Sequence, residues 1–331
     1  MKVSFVVPDL GSNILGATRK LAAYLAPSHD VEIVGTCLWD HPNAMYSDGF
    51  PYKAVQAPRA YRFPEFFSAV RAIADAATGD VLVAMKAYAP HWERRLRECD
   101  AIVGTTTFLQ KRFGATRIHL GADCDFFTPR PPADVGALKR SLGLEGKRLV
   151  VFGGVLRRHK GVEPYLDAVA RLRDRHDLHF LVAGPKNDAV QDILAQPAYR
   201  DFVHCTGSIP WTDMPLYLSL ADILAVPLSD SLMAQSQMPC KVFEAMAMAK
   251  PIIATAISDL PEILDGCGWL VPAADPRPIA AALADILDHP DLAADRARRA
   301  REKCLAEYSS VRSREQFLAF IDAIAAAPAH T

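Results

Sequence analysis

The stretch Met238-Pro-Cys-Lys-Val-Phe-Glu-Ala-Met-Ala-Met-Ala-Lys-Pro251, followed by Ile-Ile-Ala-Thr, combines a proline-containing loop, a short Ala/Met-rich helix and a buried strand. It predicts a loop-to-helix junction at the edge of a parallel α/β sheet, where ligands bind at the carboxyl ends of strands. Glu244 stands at the start of this helix, where its carboxylate could accept hydrogen bonds from a ribose diol. On this segment alone, the alternative that Glu244 only interacts with the helix dipole is equally supported.

The same alternation continues along the whole chain. Short runs rich in Val, Ile, Leu and Ala are separated by longer amphipathic stretches, which is typical of β-α-β units around parallel sheets. We therefore predict an α/β fold. The predicted helices are 17–25, 134–142 and 312–326, and the predicted strands are 3–8, 31–37, 81–85, 101–105, 117–120, 148–153, 179–183, 203–206, 223–226, 251–255 and 268–271.

A length of 331 residues suits two domains of ordinary size. The proline cluster at 128–133 cannot continue a sheet ladder and marks the predicted boundary. We expect a short N-terminal Rossmann-like domain at 1–130, a linker at 131–145 and a second Rossmann-like domain at 146–305. The terminal segment 306–331 is expected to form a helix that packs on either domain, with packing back on the N-terminal one as an option. Ligand sites favour the cleft between two domains.

Composition narrows the range of partners. With 37 basic and 38 acidic residues the net charge is −1, which argues against nucleic acid as the main partner. The seven cysteines are scattered and form no Cys-x-x-Cys pair, which predicts free thiols in a reducing, cytoplasmic compartment. Met1 and Lys2 run directly into a strand, and no apolar run approaches about 20 residues, so we expect neither a signal peptide nor a membrane span.

Two glycine-containing loops follow predicted strands. The loop from Asp9 to Gly16 places Gly11 and Ser12 before a helix, but it matches neither a dinucleotide fingerprint nor a P-loop, and by itself it favours a plain tight turn. The loop Phe152-Gly-Gly-Val-Leu-Arg-Arg-His-Lys-Gly161 carries four side chains that are or can become cationic. Such charges suit a polyphosphate leaving group, with a solvated basic loop as the alternative.

Other patterns have simpler interpretations. Asp123-Cys-Asp125 could share a divalent ion, but the surrounding residues favour a structural turn leading to the linker. The histidines do not combine with Cys or carboxylates at zinc-ligand spacing, so no metal site is predicted. The charged segment 293–303 is most simply a solvated helix face, with peripheral membrane contact as the less favoured alternative.

Several loops together resemble one known family, the retaining, nucleotide-sugar-dependent glycosyltransferases of the two-domain GT-B fold, specifically family 4, the group 1 glycosyl transferases. The resemblance is dense from about residue 148 to 287 and thinner in the N-terminal half. Its motifs are the glycine and lysine loop (Gly154, Leu156, Lys160, Gly161), Val182-Ala-Gly184, Val203-x-x-x-Gly207, Leu218-Ser-Leu-Ala-Asp222, Glu-Ala-Met-Ala-x-x-Lys-Pro, Asp259-Leu-Pro-Glu262, Gly268-Trp-Leu-Val-Pro272 and Gly121-Ala-Asp-x-x-x-Phe127-x-Pro129.

The resemblance implies roles for matched positions. Glu244 would hold the donor ribose, and Lys160 with Arg157 or Arg158 would hold the diphosphate. Gly11 and Ser12 would approach the donor phosphates. The backbone at Gly207, Ser208 and Ile209 would border the base. The other residues implied to contact the donor are Gly154, Gly184, Ser236, Gln237, Met238, Pro239, Cys240 and Lys241.

The chain also departs from the family pattern at several positions. Ser236 replaces the acid expected eight residues before Glu244, so a sugar contact must come from Ser236, Gln237 or a backbone amide. Lys241, in a segment of the form Pro-x-Lys-x-x-Glu, becomes a candidate phosphate or sugar contact. Ala249 replaces a glycine. The N-terminal domain lacks the segment that carries the family's active-site histidine, and Lys86 or His91 could take its place.

The sequence thus predicts an enzyme that transfers a sugar from a nucleoside diphosphate sugar, as co-substrate, to the hydroxyl of a carbohydrate, lipid-linked or small-molecule acceptor. It is expected to need no metal and no further cofactor, because cationic side chains and helix amides would stabilise the leaving diphosphate. Two alternatives remain at this stage: a sugar-nucleotide epimerase on the same scaffold, and a non-catalytic partner subunit that keeps the fold. The second is suggested by Ser236 and the missing histidine segment.

Overall fold

The computed structural model describes residues 1–7, 13–36, 51–55, 77, 79–85, 99–157, 160–185 and 188–326. The chain forms two compact units. The first contains Met1–Leu120 and Val311–Thr331, and the second contains Gly121–Ser310. Each unit has its own parallel sheet, which confirms the predicted α/β class.

The first unit contains strands β1 (Lys2–Val7), β2 (Asp30–Thr36), β3 (Tyr52–Val55), β4 (Val81–Met85), β5 (Ala101–Gly104) and β6 (Thr116–Arg117). They pair in parallel in the order β3-β2-β1-β4-β5-β6. Its described helices are α1 (Asn13–Leu25), α2 (Thr107–Phe113) and the last helix of the chain, α12 (Ser310–Ala326). The ring centroids of Phe5 and Phe317 are 6.0 Å apart, so this last helix packs against β1.

The second unit contains strands β7 (Arg148–Gly153), β8 (Leu178–Ala183), β9 (Val203–Cys205), β10 (Ile223–Val226), β11 (Ile252–Thr255) and β12 (Trp269–Val271). They are parallel, in the order β12-β11-β10-β7-β8-β9. The connecting helices are α3 (Pro132–Ser141), α4 (Glu163–His176), α5 (Asp188–Leu194), α6 (Met214–Ser219), α7 (Leu232–Gln235), α8 (Lys241–Ala247), α9 (Leu260–Ile263), α10 (Pro276–Asp288) and α11 (Pro290–Glu307).

The second sheet is buried on both faces, which explains why its strands read as continuous apolar runs. Successive side chains of a strand point to opposite faces. In β7, Leu149 and Val151 accordingly join one buried cluster, together with α8 and α11. Val150 and Phe152 join the other cluster, together with α4 and α10.

Strand order sets the location of a ligand site. The chain leaves β7 towards β8 on one side, and later returns to place β10 on the other side of β7. At such a switch point the loops after the two central strands diverge, which opens a crevice at their carboxyl ends. The loops after β7 and β10 are those that carry Lys160 and Lys241.

Most predicted strands agree with the structure within one or two residues, and β4, β7 and β10 have the predicted bounds. Two elements differ. The prediction omitted β3, and it placed a strand at 117–120 where only Thr116–Arg117 pairs with β5. Beyond this short strand the chain leaves the first sheet, since the Ala122 N–H donates to the Tyr308 carbonyl at 3.0 Å in the second unit.

The division between the units lies before the proline cluster that was predicted as the boundary. Phe127 is buried in the core of the second unit, and the Arg130 N–H donates to Ser219 Oγ at 3.0 Å. Gly121 marks the crossing, because a Cβ atom there would lie 2.6 Å from the carbonyl carbon of Ser309. Residues 121–133 are therefore part of the second unit, and the prolines precede or begin α3.

Two further observations concern the chain as a whole. No helix in the described part of the chain combines the length and the apolar character that a membrane span requires. None of the six cysteines within the described ranges forms a disulfide bond.

The loop after α8 contains a strained residue. Ala249, at the position where the family pattern has glycine, adopts a φ of 49°. This left-handed conformation places Cβ close to the following carbonyl oxygen and costs an L-residue roughly 1–2 kcal/mol. Glycine adopts it without that penalty.

We predict that Ala249→Gly raises the free energy of unfolding by about 0.5–1 kcal/mol, because the relief of strain exceeds the greater flexibility that glycine gives to the unfolded chain. Urea denaturation measures the change. The control is Ala294→Gly on the exposed face of α11, which should lower the free energy of unfolding by about 1 kcal/mol. A loss of stability in Ala249→Gly similar to that in the control would contradict the strain at position 249.

Candidate functional site

The candidate site lies at the carboxyl edge of the second sheet, where the loop after β7 passes the start of α8. Gly154 has a φ of 99°, and its N–H donates to the Ala183 carbonyl at 2.7 Å. A Cβ atom at this position would collide with the ammonium group of Lys241. The φ value favours glycine here, and the absence of a Cβ atom leaves room for the flexible end of the Lys241 side chain.

Lys241 is the first residue of α8, and its side chain reaches back over the end of β7. Its Nζ atom lies 5.7 Å from the centroid of the Phe152 ring. Glu244 follows three residues later in the same helix and is half-buried. Residues three apart share one face of a helix. The predicted site residues Lys241 and Glu244 are thus a cation and a carboxylate on the same face of α8.

Lys160 completes a group of cations at this edge. The pKa of Lys160 is lowered from 10.5 to about 8, mainly because the side chain is buried and also because the positive charges of Lys241 and Arg157 lie nearby. We call Lys160, Lys241 and Arg157 the cation cluster. Like charges brought close together repel one another, and a bound anion would relieve the repulsion within the cluster.

Arg157 lies at the rim of the cluster. Its carbonyl accepts a hydrogen bond from the Lys160 N–H at 2.8 Å, and its exposed side chain lines a cavity of about 250 Å³. Glu163 and Asp192 line the same cavity. Lys160 and Lys241 are therefore the inner members of the cluster, while Arg157 can reach the anion site or the carboxylates of this cavity.

The ends of β8 and β9 adjoin the same loop. A Cβ atom at Gly184 would lie 2.6 Å from the carbonyl carbon of Gly154, so the two backbones are in close contact. The Gly184 N–H donates to Thr206 Oγ1 at 3.1 Å. Gly207 follows with a φ of 77°, and Ser208 is exposed. Thr206 was not among the predicted site residues, although a hydroxyl at a strand end next to a glycine is a sequence signal that could have identified it.

The polar groups of the segment before α8 form more local hydrogen bonds than the prediction assumed. Ser236 is buried at the end of α7, and its hydroxyl donates to the Met233 carbonyl at 3.0 Å. The N–H groups of Ser236 and Gln237 donate to the carbonyls of Leu232 and Ala234. Met238 and Pro239 are buried. In a sugar contact the Ser236 oxygen can therefore act only as an acceptor, and the N–H groups of Ser236 and Gln237 are already used within the protein.

Several predicted residues are not tested by the structure. Gly11, Ser12, Lys86, His91 and Arg158 lie outside the described residues. Asp123 forms the expected turn, since its Oδ1 accepts from the N–H groups of Asp125 and Phe126, each at 3.1 Å. Among the described residues, no three His, Cys, Asp or Glu side chains group as metal ligands.

Comparison with known proteins identifies relatives of this chain. Residues 146–289 match the family model "Glycosyl transferases group 1". The chain is 28% identical over 177 residues to the alpha-D-kanosaminyltransferase of Streptomyces kanamyceticus, a match that covers 52% of this chain and 45% of the relative. It is 31% identical over 185 residues to the D-inositol 3-phosphate glycosyltransferase of Corynebacterium jeikeium, covering 52% and 43%. The chain spans about half the length of the curated relatives it matches.

Solved structures extend the similarity in fold to nearly the whole chain. Anabaena Alr3699/HepE in complex with UDP-glucose superposes with a TM-score of 0.77 at 15% identity, covering 98% of this chain and all of that one. The sucrose-phosphate synthase of Thermosynechococcus elongatus gives a TM-score of 0.76 at 18% identity, covering 99% and 100%. These comparisons confirm the predicted GT-B fold with its two Rossmann-like units.

The lowered pKa of Lys160 has a consequence for stability. Because its folded-state pKa of about 8 lies below the ordinary value of 10.5, the unfolded chain binds more protons between these pH values. The contribution of Lys160 to stability is therefore unfavourable at pH 7 and is relieved as the pH rises through this window. We predict that Lys160→Met raises the free energy of unfolding at pH 7 by about 1–2 kcal/mol, a value reduced for solvent screening.

Urea denaturation at pH 7 and pH 10 measures this effect, and the difference between variant and wild type should shrink at the higher pH. The control is Lys111→Met, which removes an exposed lysine from the last turn of α2 and should change stability by less than about 0.5 kcal/mol. If Lys160→Met destabilises the protein at pH 7, the charge at Lys160 is already neutralised within the fold and the argument for an anion-binding site fails.

Proposed function

We propose that this chain, whose residues 146–289 match the Glycosyl transferases group 1 family model, transfers a sugar from a nucleoside diphosphate sugar to an acceptor hydroxyl, with retention at the anomeric carbon. The observation that best supports this proposal is the cation cluster at the switch point of the second sheet. Breaking the bond between sugar and diphosphate leaves negative charge on the departing oxygen. Preorganised cations stabilise that charge most when they are partly removed from water, as Lys160 is.

Each inner lysine has a separate task in this proposal. Lys160, which is partly buried and held by the turn after β7, would contact the terminal phosphate, where charge develops as the sugar leaves. Lys241 is fixed over Phe152 and against Gly154, and would contact the other phosphate from the start of α8. Two fixed ammonium groups supply the stabilisation that a divalent metal would otherwise provide, so we propose a metal-independent reaction.

Glu244 is proposed to accept hydrogen bonds from the ribose hydroxyls. Its position one turn into α8, on the face that Lys241 occupies, would place a carboxylate beside the diphosphate. A charged acceptor can bind two neighbouring hydroxyls, and hydrogen bonds of this kind are stronger than those between neutral groups. Ribose recognition and phosphate recognition would thus come from the same helix.

The relatives support the class of donor. The Anabaena protein was crystallised with UDP-glucose, and the two curated relatives are named as glycosyltransferases. We propose a nucleotide sugar as the donor of this chain and a carbohydrate, lipid-linked or small-molecule hydroxyl as its acceptor. We propose that the protein acts in the cytoplasm. We also propose that the nucleotide sugar is its co-substrate and that it requires no further cofactor.

The test of this function starts with ADP, GDP, UDP and dTDP in thermal-shift assays, because a nucleotide that binds the native state raises its apparent stability. Sugars of the selected nucleotide are then assayed for acceptor-dependent release of nucleoside diphosphate in EDTA, and the anomeric configuration of the product is determined by NMR. Lys160→Ala and Lys241→Ala should each lower kcat/KM by about 10²–10³-fold, the effect of removing one donor that stabilises a developing anion.

The matched control is Lys250→Ala. Lys250 is also largely buried and also has a lowered pKa, but it lies at the opposite end of α8, near Asp222 and Lys139. If Lys250→Ala loses as much activity as the cluster variants, the losses reflect damage to the fold. If no nucleoside diphosphate binds to the wild-type protein, the proposed function is wrong.

If Glu244 binds the ribose, its contribution to nucleotide affinity should depend on the ribose hydroxyls. Glu244→Ala should weaken binding of the selected ribonucleoside diphosphate about 10-fold or more, since it removes a charged hydrogen-bond acceptor. It should change binding of the 2′,3′-dideoxy analogue much less, because that analogue offers no diol. Isothermal titration calorimetry of both nucleotides with both proteins gives the comparison. Equal losses for the two nucleotides would assign Glu244 a structural role.

A further inference from the structure

Trp211 is a large aromatic residue that the second unit leaves on its surface, with 58% of its area exposed. Trp269 in the same unit shows the usual alternative, because it is 6% exposed and its indole N–H donates to Asp285 at 2.7 Å. Exposed aromatic area contributes nothing to folding through burial, and rigid aromatic surfaces are typical of binding sites. Trp211 therefore requires an explanation other than core packing.

The indole ring is held in place from one side. It stacks on Phe126 with the ring centroids 5.8 Å apart and the planes 19° apart. Phe127, which is buried, meets it edge-on at 5.3 Å and 78°. Phe126 thus contacts one face of the indole and Phe127 meets it edge-on, while 58% of the area of Trp211 remains exposed. A ring fixed in this way loses little freedom when a ligand stacks on the open face.

The position of the ring in the fold is set by its neighbours along the chain. Trp211 begins a 3₁₀ turn, Trp211–Asp213, that continues directly into α6. Leu218 of α6 lies against Gly153 at the end of β7, since a Cβ atom there would be 2.9 Å from Leu218 Cδ2. Trp211 also follows Gly207, just past the end of β9, by four residues. Trp211 thus lies on the connection that leaves the carboxyl end of β9, and the cation cluster follows the carboxyl end of β7 at the same edge of the sheet.

The spacing of the strands that lead to the two features suits one ligand. The strands β7 and β9 are separated only by β8, so their ends are about 10 Å apart at the usual spacing of neighbouring strands. A nucleoside diphosphate in an extended conformation covers a distance of this order between its base and its terminal phosphate. If the phosphates bind at Lys160 and Lys241, the base extends past Gly184 and Thr206 towards Trp211.

We propose that the open face of Trp211, supported from behind by Phe126, stacks on the base of the donor nucleotide. The inference rests on the proposed function and adds a residue that determines how tightly the nucleotide half of the donor is held. Stacking tolerates any base, because every base has a π face. Trp211 supplies affinity, and the choice between bases belongs to polar groups around the ring.

The experiment compares Trp211→Ala and Trp211→Phe with the wild type, using the nucleoside diphosphate selected by thermal shift and inorganic pyrophosphate as a probe without a base. Trp211→Ala should raise the Kd of the nucleoside diphosphate roughly 5- to 100-fold, the range that loss of one base–aromatic stack produces. It should leave the Kd of pyrophosphate unchanged. Trp211→Phe keeps an aromatic face and should restore most of the affinity. In the wild type, binding of the nucleotide, but not of pyrophosphate, should quench the fluorescence of Trp211. The Trp211→Phe variant lacks this fluorophore and should not show that quenching.

Leu305→Ala is the matched control, because it removes an exposed apolar side chain at the other edge of the same sheet and should leave both Kd values unchanged. If Trp211→Ala binds the nucleoside diphosphate as tightly as the wild type while Lys160→Ala does not, the stacking proposal is wrong and the proposed function stands. If Trp211→Ala loses both ligands equally, the ring is structural. If the wild type binds pyrophosphate but no nucleotide, both proposals fail.

Discussion

The contact between Lys241 and Gly154 is the constraint on which the candidate site depends. It places the Lys241 ammonium over the end of β7, on the open side of Gly154, whose φ of 99° favours glycine. The same glycine is in backbone contact with Gly184 after β8. The loops that follow three consecutive positions in the sheet are thereby packed around one small space, in which the phosphates of a nucleotide are proposed to bind.

This arrangement is unfavourable without a ligand. The lysines repel one another, and burial removes part of the hydration that would otherwise stabilise Lys160. A protein selected only for stability would place a neutral or acidic side chain here. The excess of positive charge is therefore a reason to infer a function for this edge of a sheet whose two faces are otherwise well packed.

The sequence predicted the second unit better than the first for a physical reason. Strands such as β7 and β10 are buried on both faces, so they appear as uninterrupted apolar runs with clear ends. The strand β3, Tyr52–Val55, lies at the edge of its sheet, is only four residues long and includes Lys53, so composition did not reveal it. The sequence also could not show which side chains contact one another in the folded chain. The sequence suggested Lys241 and Lys160 as separate candidates, but it could not show that Ser236 uses its hydroxyl proton within α7 or that Trp211 lies against Phe126.

The helix that carries Lys241 and Glu244 is short, so its position must be maintained from outside. Arg301 of α11 donates to the Ala247 carbonyl at the last residue of α8, and the Cys304 thiol lies 3.4 Å from the Phe243 carbonyl. The Ala247 carbonyl is at the helix C-terminus, where a cation is favourable, and the Phe243 carbonyl belongs to the third residue of the helix. Since α8 has only seven residues, a displacement at this end moves Lys241 as well. The precision of the proposed phosphate site is therefore determined partly by α11, which does not contribute a residue to it.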